Sequence, residues 1–255
     1  MDNVTLTLTG LVLARAGLNR FTRNAAPSLF VGCNLPSILP IAFVGTGVKF
    51  SWRDALMALV GVGVYAVFRL LELHLDILGS GSPWLIAVLG MSVGAPMLSN
   101  LVSGEIGASK KASGRGWALF ALAFLVLWIG AHAVMHQRAI ETLQSRIYSG
   151  VTPNRVGAWP TRWNPLVWRG YVDTDEFWMI EEIPLHKEFD PEAGCKIFRP
   201  ADMEEIHRSV ESVKFQSLFQ NVKYPVFRFT APKLEVADAR DSQRDLCPEF
   251  TATSE

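Results

Sequence analysis

Gly116–Met135, GWALFALAFLVLWIGAHAVM, decides the fold. Its only ionisable group is His132, and twenty such residues are the length that crosses roughly 30 Å of hydrocarbon. Working upstream, Trp84–Val102 is also uncharged; its Pro96 is tolerated in lipid because neighbouring helices satisfy the carbonyl that proline frees. Ala55–Phe68 is a shorter uncharged run that Leu70, Leu71, Leu73 and Leu75 prolong past Arg69 and Glu72. Those two charges stand three apart, so they can pair on one helix face and enter lipid at lower cost. The sequence therefore predicts membrane spans over about 55–75, 84–103 and 116–136.

Ser28–Val48 is long enough to span, but Asn34, Pro36 and Pro40 interrupt it, and proline removes a donor while restricting its predecessor. Basic residues cluster at Arg15, Arg20 and Arg23, at Lys49 and Arg53, and at Lys110, Lys111 and Arg115. All three clusters reach the cytoplasmic side only if 28–48 enters and leaves on one face, which predicts a re-entrant or broken helix. The same bookkeeping puts the carboxy-terminal half outside the cytoplasm. Residues 1–21 are too charged for a secretory signal. Within them, Thr5–Thr9 alternates like a strand, whereas Leu11–Leu18 suggests an interfacial helix, which suits a membrane entry better.

The formal net charge of zero hides an asymmetry: nine Lys/Arg against five Asp/Glu before His136, and fifteen against nineteen after it. The acidic half has no basic block, which argues against a nucleic-acid partner. Beyond His136, prolines recur and aromatics sit among charges, as in an aqueous domain. Strands are predicted at Leu166–Tyr171, Glu176–Ile183, Lys196–Phe198, Tyr224–Thr230 and Leu234–Ala237, and a helix over Asp202–Phe219. The fold expected is thus a polytopic α-helical membrane domain, 1–136, followed by a small α+β soluble domain, 137–255, built on a mixed sheet.

His132 and His136 stand four apart on the last span, on one face, where they could share a metal or ligate a pigment. No third ligand lies near them in sequence, and hydrogen-bonding interfacial histidines are the plainer reading. His74 and Asp76, with Glu72, form a second polar cluster at a helix end, open to either a metal role or snorkelling. His186 and His207 read as surface residues. Cys33, Cys195 and Cys247 form no CxxC pair; Cys195 and Cys247 can pair only if their domain is in an oxidising compartment. No HExxH, P-loop or GxGxxG pattern occurs.

Several motifs together carry a resemblance. Met1-Asp2-Asn3-Val4-Thr5 with Leu8-Thr9-Gly10-Leu11, the Asn34-x-Pro36 step, Pro83-Trp84 and Leu101-Val-Ser-Gly-Glu-Ile-Gly107 are similar to the bacterial inner-membrane family of membrane-bound metal-dependent hydrolases. The likeness runs on through Ser145-Arg146-Ile147-Tyr148, Asn164-Pro165, Trp168-Arg169-Gly170, Glu188-Phe189-Asp190-Pro191 and Tyr224-Pro225. It implies a polytopic protein whose His and Asp residues on the first helices hold a cation that activates water. At the corresponding positions this chain departs. Thr-His-Thr-Leu-Thr-Gly becomes Thr5-Leu6-Thr7-Leu8-Thr9-Gly10; Asn-x-Pro-Asp-x-Asp becomes Asn34-Leu35-Pro36-Ser37-Ile38-Leu39; Ser-His-x-x-x-Asp aligns with Val64-Tyr65 and Arg69. Leucine ligates no cation and arginine repels one.

The expectation that follows is a catalytically inactive relative in the bacterial inner membrane. It would serve as an accessory or scaffold subunit among other membrane-protein subunits and lipid, with its carboxy-terminal domain on the periplasmic side and no cofactor. The alternative is an active hydrolase with a metal site rebuilt from His74, Asp76, His132 and His136. Transport is a third class, weakly suggested by Arg69 and Glu72 within a helix.

Overall fold

The computed structural model describes residues 3–34, 51–76, 82–105, 114–199, 222–230, 233–240 and 247. The predicted hairpin beyond Asn34, the helix over Asp202–Phe219, His207 and the lysines at 49, 110 and 111 lie outside them. The chain divides into two compact units, Met1–Ala133 and Val134–Glu255.

The first unit is helical. Its elements are α1 (Asn3–Ala16), α2 (Ala25–Cys33), α3 (Trp52–Leu75), α4 (Pro83–Glu105) and the first part of α5 (Arg115–Gln144). The strand-like alternation at Thr5–Thr9 is overridden. Thr9 Oγ1 donates to the Thr5 carbonyl at 2.8 Å, an i−4 bond that only helical spacing provides. α1 therefore starts well before Leu11. It packs on α2 and α4, burying Leu6, Thr9, Val12 and Ala14. At its far end, Arg115 Nε donates to the Ala16 carbonyl at 3.0 Å, and Arg15 donates to the Val93 carbonyl of α4. The Ala16 carbonyl is one of those that the end of α1 leaves short of a donor.

α3 begins at a Ser51-x-x-Asp54 capping box. Asp54 accepts from Ser51 N at 3.0 Å, from Thr22 Oγ1 at 2.6 Å and from Asn24 Nδ2 at 3.3 Å, so this buried carboxylate is fully engaged in structure. α2 and α3 cross at Gly32 and Gly61. A Cβ on Gly32 would stand 2.1 Å from the Ala58 carbonyl oxygen, and one on Gly61 would stand 2.9 Å from that of Leu29. Small residues that let backbones meet are the usual contact of helices in lipid.

Among the described residues, α3 (over Trp52–Glu72) and α5 are long and apolar enough to cross a membrane, and Pro83–Ser99 is a shorter apolar helical stretch. Only 22 % of the apolar window of each long helix is buried in the chain itself. Leu59, Val67 and Leu70 on α3 stand exposed, as do Leu119, Phe120, Val126 and Leu127 on α5.

The second unit pairs the end of α5 with a four-stranded sheet, β1 (Arg155–Pro160), β2 (Val167–Asp173), β3 (Phe177–Pro184) and β4 (Cys195–Phe198), in sequential order, and with a hairpin of β5 (Pro225–Thr230) and β6 (Lys233–Asp238). Every pairing among the described residues is antiparallel, which corrects the mixed sheet expected from sequence. The connections within the four-stranded sheet are short loops, and a parallel pair needs a long crossover. The tightest is the Asp173-Thr174-Asp175 turn between β2 and β3. There Thr174 Oγ1 donates to the Phe177 carbonyl at 2.7 Å and accepts the Phe177 N–H at 3.1 Å.

The sheet is covered on both faces. Phe177, Met179 and Ile183 of β3, with Trp168 and Val172 of β2, pack on Ala139 and Leu143 of α5 and on Tyr148 and Phe189. Trp178, Ile180 and Tyr171 point the other way, into Trp159, Tyr224, Val226 and Cys247. Gly157 makes room for the Tyr224 ring, whose Cε1 would lie 2.1 Å from any Cβ there. Trp159 stacks on that ring with centroids 5.1 Å apart.

Candidate functional site

The family resemblance directs attention to α1, α2 and α3. The fold brings its aligned positions together: Leu6 is buried with Val12, Cys33 and Phe68, and Val64 and Tyr65 pack against the same cluster. Ser37–Leu39 lie outside the described residues. Beside this cluster, Asn34 Nδ2 donates to Thr7 Oγ1 at 3.0 Å and to the Phe30 carbonyl at 3.0 Å. Arg69 binds Glu72 at 3.0 Å. A water-activating cation requires carboxylates or imidazoles with one open position. Among the described residues the donors here are a threonine hydroxyl, an amide and a phenol, and Glu72 is paired to the Arg69 guanidinium. This set does not fit the metal that the resemblance implies.

The other candidates sit on α3 and α5. His132 is buried, its Nδ1 donates to the Trp128 carbonyl at 3.1 Å, and its ring lies 4.5 Å from the Trp128 ring. His136, one turn later, has its ring 5.7 Å from that of Trp168. The two imidazoles thus engage different tryptophans. His74 lies in the last turn of α3, with its side chain outside the described set; Asp76 follows it in the left-handed region (φ 46°) and is buried at the helix terminus. Aspartate tolerates that conformation, so its place is that of a C-terminal cap. Among the described residues, no three His, Cys, Asp or Glu side chains are grouped to hold an ion.

The second unit holds chemistry that sequence reading missed. Glu181 of β3 is 1 % exposed, on the face of Phe177, Met179 and Ile183, and neither carboxyl oxygen has a hydrogen-bond partner among the described residues. The nearby Tyr148 hydroxyl donates its proton to the Leu143 carbonyl at 3.0 Å. Burial pushes Glu181 up to about 9, opposed by the neighbouring Tyr148 hydroxyl, reinforced by Asp190 and Glu192 and opposed again by Lys196, so it is a neutral acid at pH 7. The signal was present in FWMIEEIP: a strand apolar on both faces must bury one of two adjacent glutamates.

Above it, the Tyr148–Val151 turn, with Ser149 and Gly150 both at positive φ, is stapled to the β3–β4 loop. Ser149 N donates to Glu192 at 2.8 Å, Lys196 Nζ donates to Ser149 Oγ at 2.7 Å, and Lys196 pairs with Glu192. Those hydrogen bonds from Lys196 and Ser149 hold Glu192 below its usual range. A serine beside a lysine invites comparison with a hydrolytic dyad, yet the carboxylate occupies both partners and the group is an exposed structural staple.

A cleft of about 420 Å³ opens between the last turns of α5, at Arg138, Thr142 and Ser145, and the segment after β3, at Leu185, Lys187 and Phe189. On the opposite side of the sheet, Cys195 and Cys247 are joined in a disulfide, tying β4 to the Trp178 and Tyr224 core. The sequence left that pairing open.

Two apolar helices long enough to span a membrane and a disulfide-bonded antiparallel β unit define the class. No family model, no curated protein and no solved structure matches the chain.

Proposed function

We propose that this is an integral inner-membrane protein, a catalytically silent relative of the membrane-bound metal-dependent hydrolases that acts as an accessory or scaffold subunit of a membrane complex. The observation that carries the reading is the apolar cluster of Leu6, Val64, Tyr65 and Phe68, where the family's ligands would converge. Helix packing survives such replacement; metal chemistry does not. Mostly exposed apolar surface on α3 and α5 supports burial in lipid and against other subunits. The Cys195–Cys247 disulfide supports a periplasmic carboxy-terminal unit, the same side that the basic clusters indicate.

Extraction in mild detergent followed by mass spectrometry of companions tests this reading. Stable membrane-protein partners are expected, and a monodisperse monomer without companions would count against a scaffold. Zinc or manganese bound at unit stoichiometry, with esterase or phosphodiesterase turnover lost in His74→Ala, would restore the hydrolase.

A further inference from the structure

The cleft at the end of α5 has a composition that the scaffold role leaves unused. Arg138 and Lys187 stand on its rim, both exposed, and among the described residues no hydrogen bond or ion pair engages either side chain. Leu185 and Phe189 supply an apolar wall. The Thr142 and Ser145 hydroxyls donate to α5 carbonyls at 2.8 and 3.0 Å, so they offer no competing protons. Glu141 also lines the cleft, but the Gln137 amide donates to its Oε1 at 3.0 Å, and the two cations outnumber it.

Position along the helix identifies the occupant. The apolar run ends at Met135, and at 1.5 Å per residue Arg138 follows about 4.5 Å later and Thr142 about 10 Å later. A bilayer of 40–45 Å with a 30 Å core leaves a headgroup layer of about 5–8 Å on each side. Arg138 therefore emerges at the level of lipid phosphates. We infer that this cleft binds the phosphodiester headgroup of an anionic phospholipid, with Arg138 and Lys187 on the phosphate and Leu185 and Phe189 against the apolar carbons of the headgroup alcohol. This rests on the membrane reading above.

The test uses the full chain in mild detergent, titrated with phosphatidylglycerol or phosphatidylcholine, with retained lipid counted by native mass spectrometry. Phosphatidylglycerol should be retained about tenfold over phosphatidylcholine. The R138Q/K187Q double variant should bring the two near parity, as expected when two cations leave an anionic surface. Arg162→Gln, an exposed charge outside the cleft, should keep the preference. Equal retention of both lipids, or an undiminished preference in the double variant, overturns the headgroup site. Competition by glycerol 3-phosphate at matching concentration overturns the lipid as occupant. Carbonate extraction of native membranes separates the two failures: a protein released by carbonate defeats the membrane reading itself, whereas a retained protein without lipid preference defeats only the cleft.

Discussion

The two units place the same kinds of residue on opposite sides. In the helical unit Thr5, Thr9, Ser28, Asn34, Asp54 and Ser92 are buried, while Leu59 and Leu127 are each 72 % exposed. In the β unit Trp168, Trp178, Tyr148 and Phe177 are at 2 % exposure or less, Trp163 and Phe198 are the aromatics left at 70 % among the described residues, and the surface carries the charge. A water-facing unit gains by removing apolar area from solvent; a lipid-facing one gains nothing from that and is held by close backbone approach and internal hydrogen bonds. The difference is what the membrane reading proposed above expects of the helical unit.

The strongest way to break the comparison is Gly32→Leu. The side chain would have to pass through the Ala58 carbonyl, so the α2–α3 pair should be lost and the detergent-solubilised protein should aggregate. The Cys195–Cys247 bridge should still form, read on a non-reducing gel. A monodisperse variant would mean that the glycine crossing does not hold the helical unit.

Next in size is the disulfide, which closes 52 residues. Replacing both cysteines with serine should cost the β unit about 4 kcal/mol in the loop-entropy description, measured by urea unfolding. The helical unit should not respond.

Glu181→Leu should act in the other direction. Glu181 carries a folded-state value of about 9, above its ordinary 4.5, so the folded unit binds the proton more tightly than the unfolded chain. Its contribution is complete below about pH 4.5 and is lost as pH rises towards 9. At pH 7 the penalty is about 3 kcal/mol. Leucine should therefore raise the melting temperature of the β unit, with a gain that grows from pH 5 to pH 8. A gain independent of pH would remove Glu181 as its source.

The smallest effect belongs to Ser149→Ala. The staple it shares with Glu192 and Lys196 is exposed, and its loss should leave the urea midpoint of the β unit nearly unchanged.

What was legible in the sequence follows from how strongly each segment constrains itself. The uncharged run at Gly116–Met135 admits only a helix of that length, and α5 contains it whole. β2 and β3 were readable within a residue or two because the Thr174 turn marks their junction. β1 was missed because Gly157 shows no apolar side chain on the face where Tyr224 fills the space, and a proline closes the strand at 160. The α1 alternation left two readings side by side, because threonine suits a strand by propensity and a helix by its back-bond to i−4. Metal candidates defined by spacing alone, such as His132 and His136, did not anticipate that each ring would find its own tryptophan. Glu181 was hidden because two neighbouring acids look alike until the register gives one of them to the helix.

The meeting of Gly32 and Gly61 also limits the paths open to this sequence over evolutionary time. Even alanine, the gentlest replacement, puts a methyl carbon inside the van der Waals shell of a backbone oxygen or a facing Cα. Drift at these two codons has no graded intermediate, so descendants either retain both glycines or surrender the helix pair and find another way to close the bundle.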